Sequence, residues 1–163
     1  MALIEVKLDQ GDLQKVINRY SRYDNNVRQG VQREVGHSAL SIQSRARRLL
    51  RLHGAIATNR LRSSINIRYT TDRLGAVIGT NVNYAGDVEE GQKPGRWPNV
   101  GDLMRWVQKK IVRSPMKEVR RITFLVGRKI YLKGTEAKPY MRPAGEKEWP
   151  NFVRNIKRVL KTS

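Results

Sequence analysis

Residues 54–98 read GAIATNRLRSSINIRYTTDRLGAVIGTNVNYAGDVEEGQKPGRWP, and their pattern decides the fold. Ile65, Ile67 and Tyr69 form one side of an alternation whose other side is Asn66, Arg68 and Thr70. A two-residue period is that of a strand with one buried face. Thr71, Asp72 and Arg73 suit a turn, and the run from Gly75 to Gly79 suits the returning strand. Asn83, Tyr84 and Ala85 read as a third short extended piece, so a β-hairpin region is expected over 63–85. A lone hairpin is marginal in water. Helices from elsewhere in the chain must therefore cover its apolar face.

Upstream, residues 2–8 alternate and predict a strand that joins the same sheet. A helical region is expected over 11–53. Its first part carries Leu13, Val16, Ile17 and Tyr20 behind Asp9 or Asp12 as a cap, and 23–26 break the pattern. Val27, Val31, Val35, Ala39, Ile42, Ala46, Leu49 and Leu50 then recur at spacings of three and four, which places them on one helix face. Gly30 and Gly36 weaken that helix and leave a kink or a break open. Gly54 suits a left-handed position after its end, and 55–62 read as a loop.

Downstream, 92–98 are too rich in turn residues to be regular and predict an exposed loop. Helices are expected over 101–113, 117–133 and 147–161, with Gly134 stopping the second. Pro139 to Ala144 reads as an extended, proline-bracketed stretch between them. The expected architecture is α+β: one domain over 1–163, with a small, mostly antiparallel β-sheet packed by a long N-terminal helix and shorter C-terminal helices.

The 163 residues hold 33 Lys and Arg against 14 Asp and Glu, a formal charge of +19. The sequence pI is about 11.0. Such a balance attracts polyanions. Nucleic acid and an acidic protein neighbour both satisfy it. There is no cysteine, so disulfides and thiolate metal sites are excluded. No apolar run approaches the roughly 20 residues that span a bilayer, so no membrane partner is expected. MALIEVKLDQ lacks the basic and apolar parts of a secretory signal, so secretion by that route is not expected.

No enzymatic motif stands out, and neither cofactor nor metal is expected. His37 and His53 are far apart and flank no carboxylate at helical spacing. There is no G-x-S-x-G and no Walker-type loop. The enzymatic alternative is a metal-dependent nuclease. Asp87, Glu89 and Glu90 could gather a divalent cation, and Glu136-Ala137-Lys138 has a Glu-x-Lys spacing. The simpler use of the acidic cluster is to bind a basic surface, including that of an identical neighbour.

Three segments occur in a telling order. Thr58, Leu61, Ser64 and Ile65 fit T-G-x-L-x-x-S-I. Tyr84, Ala85, Val88, Glu89 and Gly91 fit Y-A-x-x-V-E-x-G-T. Pro139, Arg142, Pro143 and Ala144 fit P-F-x-R-P-A. With these, residues 20–160 resemble the neck and tail-completion proteins of long-tailed double-stranded DNA phages. These are minor tail or head–tail joining components, similar to the lambda tail protein Z group. Asn59 and Gln92 depart from the usual Gly and Thr, and Tyr140 stands where Phe is usual.

The resemblance implies a structural virion protein, not an enzyme. It implies a ring, commonly six-fold, at the head-proximal tail end, made in the host cytoplasm. Its partners would be neighbouring neck and tail proteins and packaged DNA in the lumen. On this reading Tyr84, Asp87, Glu89, Glu90 and Trp97 are expected at subunit or partner contacts, with Pro139, Tyr140 and Arg142 as a docking arm. For Trp97 the other reading is a loop side chain folded onto its own domain. Arg45, Arg47, Arg48 and Arg51 at the helix end, with Arg60 and Arg62, are the candidates to face a polyanion, or else simply solvate an outer face. The remaining alternative is a basic nucleic-acid-binding protein unconnected with a virion.

Overall fold

A computed structural model describes residues 5–7, 25–54, 59–111 and 115–161. The helix expected at 11–22, and residues 55–58 and 112–114, lie outside the described residues. The elements in order are β1 (Glu5–Lys7), α1 (Asn25–Leu52), α2 (Arg60–Ser64), β2 (Asn66–Tyr69), β3 (Ala76–Gly79), α3 (Ala85–Glu90), α4 (Val100–Lys110), α5 (Met116–Lys133) and α6 (Met141–Lys161). The fold is α+β, with a three-stranded antiparallel sheet in the order β1-β3-β2.

The stripe of α1 is the centre of the core. Val31, Val35, Ala39, Ala46 and Leu50 are fully buried, and Val27 and Ile42 nearly so. Each such Val, Leu or Ile contributes about 1.5–3 kcal/mol through burial. The helix runs unbroken through both glycines. At Gly30 the missing side chain has a use: a Cβ there would lie 2.6 Å from Val159 Cγ1 on α6. α1 closes at Gly54, whose φ of 61° is the left-handed conformation expected of it. Glu148 of α6 is buried between the helices and accepts from Ser38 Oγ and Ser41 Oγ of α1 at 3.3 and 2.7 Å.

The hairpin pairs Asn66 with Gly79, Ile67 with Ile78, Arg68 with Val77 and Tyr69 with Ala76. β1 pairs along the other side of β3, Val6 opposite Ile78. Ala76 and Ile78 are buried beneath α1 with Ile65, and Ile67 is half-buried. The turn is held by side chains. Asp72 Oδ1 accepts from Thr70 Oγ1 and from the Leu74 amide, and Thr70 Oγ1 accepts from the Gly75 amide. The Thr70 hydrogen bond, then that of Leu74, holds the Asp72 carboxyl below its ordinary range.

Three expectations are corrected. Residues 60–64 are helical rather than loop and strand. Leu61 and Ile65, four apart, both turn into the core, and the Ser63 and Ser64 hydroxyls bond back to carbonyls three and four residues earlier. Asn83–Ala85 is a turn into α3, not a third extended piece: the Ala85 amide bonds to Val82 O and the Val88 amide to Tyr84 O. The last helix starts at Met141, not 147, so the stretch expected to be extended is largely helical. Pro143 lies in the first turn, where an amide has no intrahelical acceptor to lose.

The three C-terminal helices do not all cover the sheet. α6 packs on α1 and β1, whereas α4 and α5 pack chiefly on each other. Val107, Val119, Thr123 and Gly127 form their shared seam. They make a helical arm outside the core cluster of the body.

Candidate functional site

The second and third of the three sequence segments meet at the base of the arm. Glu89, near the end of α3, points inward and is 4% exposed. Its Oε2 accepts from the amides of Tyr140 and Met141 at 2.8 and 2.9 Å, and its Oε1 from the amide of Arg142 at 2.9 Å. Those of Met141 and Arg142 are the first amides of α6, which have no acceptor within their own helix, and that of Tyr140 immediately precedes them. A carboxylate from another element therefore caps the helix, and its charge opposes the positive end of the helix dipole. Ser64 of the first segment bonds to Thr80 beyond β3 at 2.6 Å. Gln43 and Arg47 of α1 both donate to Ile65 O, at 2.7 and 2.9 Å.

Two chain segments bridge body and arm side by side. Lys138 N donates to Val88 O, Thr135 N donates to Gln92 O, and Gln92 N donates to Thr135 Oγ1. The segments touch so closely that Gly91, at φ 75°, has no room for a Cβ beside Thr135 O and Ala137 N. Gln92 Nε2 also donates to Arg96 O, and Arg96 pairs with Asp87. The body reaches the arm once more through Arg60, whose guanidinium lies 2.9 Å from Asp102.

The expected contact residues divide on this geometry. Glu89 and Tyr140 are corrected: both are buried within the chain, one as a helix cap and the other as a core side chain. Tyr140 packs with its hydroxyl buried and without a partner among the described residues. Burial, reinforced by the nearby Glu89, pushes its ionisation well above the usual range for tyrosine. Asp87 is engaged by Arg96, and Tyr84 is half-buried. Glu90, Pro139 and Arg142 are exposed. Glu136 and Glu146 are exposed near them, on the bridge and in the second turn of α6.

Trp97 folds back onto its own arm. Its ring stacks on Phe124 and Tyr131, with centroids 5.9 and 5.6 Å apart, and lies over Gly127. It nevertheless remains 45% exposed, within an apolar surface that includes Phe124 at 59%, Leu125 at 50% and Leu132 at 58%. Sequence reading missed these partners of Trp97. The available signal was that apolar residues of 117–133 exceed one helical stripe: Phe124, Leu125, Tyr131 and Leu132 fall off the face of Val119 and Thr123. Nine Lys and Arg against Asp102 and Glu118 surround the apolar residues of α4 and α5.

The basic candidates also divide. Arg47, Arg48, Arg51 and Arg62 come together, with Ser44 and Ser63, around a hollow of about 450 Å³. Arg45 does not line it, and Arg60 is turned to Asp102. The carboxylates considered for a nuclease are not gathered: Glu89 caps α6, Asp87 holds Arg96 and Glu90 faces out. Among the described residues no group of three or more His, Cys, Asp or Glu is placed to hold a metal ion. Among them, too, no helix is long and apolar enough to cross a membrane.

A scan against protein-family models finds no match, and comparisons with curated proteins and with solved structures find none either.

Proposed function

We propose that this chain is a structural protein that acts by assembly, forming a ring at the neck or head-proximal tail end of a long-tailed DNA phage. The observation that carries the assembly part is the arm. Trp97, stacked on Phe124 and Tyr131, stays half-exposed, and Phe124, Leu125 and Leu132 of α5 are half-exposed or more, apolar area that a contact with another protein would cover. Aromatic side chains at such a surface are the usual anchors of a contact between proteins.

The charge distribution gives the contact a direction. The arm is basic, so two arms repel each other. The exposed carboxylates Glu90, Glu136 and Glu146 lie at the base of the arm and are free of ion pairs among the described residues. An arm that meets the base of the next copy makes a head-to-tail contact, and head-to-tail contacts close into rings when the rotation allows. The phage assignment is supported by the ordered resemblance of the three segments and by the contact of the second with the third through Glu89.

Two measurements test this reading. Sedimentation of the purified chain is expected to show a concentration-dependent oligomer. Antibody-labelled electron microscopy of phage particles is expected to place label at the head–tail junction. A chain that stays monomeric at every concentration, alone and with particle extracts, together with unlabelled particles, rejects it. Nucleic-acid binding is the second reading, and the arginine-lined hollow favours it.

A further inference from the structure

Ser44, Arg47, Arg48 and Arg51 recur at three- and four-residue spacing, so they share one face at the end of α1. Across a gap, α2 brings Arg62 and Ser63. Arg47 is pinned by its bond to Ile65 O, and its Nε is buried without a partner among the described residues. None of the four arginines forms an ion pair with a described carboxylate. Four like charges around one hollow repel one another, and a counter-charge between them removes that cost.

The chemistry of the lining selects the counter-charge. Guanidinium forks match phosphate oxygens in paired hydrogen bonds. No lining residue is aromatic, so the hollow has no platform for stacking an unpaired base. No lining residue is acidic, so nothing in it repels an anion. We infer that this hollow docks the phosphodiester backbone of duplex DNA, without reading its sequence. Backbone contacts position a protein on a duplex and carry no sequence information directly. A single chain holds all six lining residues, so the inference stands apart from ring formation.

The test is fluorescence anisotropy of a labelled duplex with the full chain across a series of salt concentrations. Wild type is expected to bind unrelated sequences alike, with affinity falling steeply as salt rises. The double variant Arg48→Gln/Arg51→Gln removes two exposed charges and leaves Arg47 in place. It is expected to bind about tenfold more weakly at fixed salt, with the slope of log affinity against log salt reduced by about 2. Lys129→Gln/Lys133→Gln on the arm removes the same charge and is expected to change affinity far less. Circular dichroism melts show whether each variant is folded; if the first is not, Arg62→Gln takes its place. Equal losses in both variants mean diffuse attraction and overturn the site. So does displacement of the duplex by inorganic phosphate at matched ionic strength, which means a small-anion pocket. Absence of wild-type binding overturns it too. Sedimentation of the same samples reports assembly separately.

Discussion

The body and the arm are both built from amphipathic helices, yet they treat apolar surface differently. In the body, the stripe of α1 is covered by α6 and the sheet, and Val31, Val35, Ala39, Ile42, Ala46 and Leu50 are at most 1% exposed. In the arm, the seam through Val107 and Val119 is closed, but Phe124, Leu125 and Leu132 are half-exposed or more. Their polar groups differ in the same way. Glu89 and Glu148 of the body are buried and bond inward, whereas the Glu118–Arg121 pair of the arm lies at the surface. The core of the body is therefore closed by its own chain, with Leu40, Leu52 and Trp149 as single exposed apolar side chains on its helices. The arm has one face that its own chain satisfies and another that it does not.

The sharpest break of this comparison is at Glu89. Replacing it with Ala leaves three helix-end amides without their acceptor and is expected to cost about 3 kcal/mol of stability. Urea unfolding followed by circular dichroism checks it, and a loss near zero would remove Glu89 from its role in the body. Phe124→Ser/Leu132→Ser addresses the arm. Stability is expected to change by about 0.5 kcal/mol or less, as for surface sites. Self-association in sedimentation is expected to weaken at least about tenfold, because the apolar anchors are gone. The opposite pattern, a large stability loss with assembly intact, makes the arm face part of the core instead.

Tyr140→Phe sharpens the account of the body. The buried hydroxyl has no described partner, so its removal is expected to be neutral or to stabilise by about 1 kcal/mol at pH 8. The sign at high pH follows from linkage. The folded state keeps the phenol neutral, while the unfolded state ionises near its ordinary pKa of about 10. Stability is thus fully present below about pH 10 and is lost as pH rises beyond it. The Tyr140→Phe variant has no phenol at this buried position and escapes that loss. Its urea midpoints at pH 8 and pH 11 should therefore lie closer together than those of wild type.

The smallest effect is at Asp72, in the exposed hairpin turn. Its folded-state carboxyl titrates below the unfolded one, so its contribution is present above about pH 4 and is lost as pH falls through the lowered value. Asp72→Asn should lower the urea midpoint slightly at pH 6, and the gap from wild type should close near pH 2. An unchanged gap at low pH would mean that the turn does not depend on the charge.

Much of the body was legible in the chain itself. The α1 stripe, the hairpin with its Thr70–Asp72 turn, and the stop at Gly54, like the stop at Gly134 in the arm, follow from period and backbone chemistry, which act over a few residues. Where reading failed, a distant partner decided the outcome. The Pro139–Ala144 stretch looked unable to join a helix. It does so from Met141 because Pro143 sits in the first turn and Glu89, far upstream in the chain, supplies the cap. Asp87, Glu89 and Glu90 looked like one acidic surface, but the middle carboxylate turns inward while its neighbours do not. Arg47, Arg48 and Arg51 were recognisable as a basic helix end, whereas their meeting with Arg62 required the placement of α2.

By itself, then, the sequence determined the α+β class, the long helix and the hairpin, because hydrophobic period, turn residues and glycine conformations are local. Only the tertiary structure decided that Glu89 is a cap, that Trp97 stacks within its own arm, and that α4 and α5 stand apart with an uncovered apolar face. Those outcomes depend on which groups far apart in the chain come within bonding distance, and no local pattern encodes that distance.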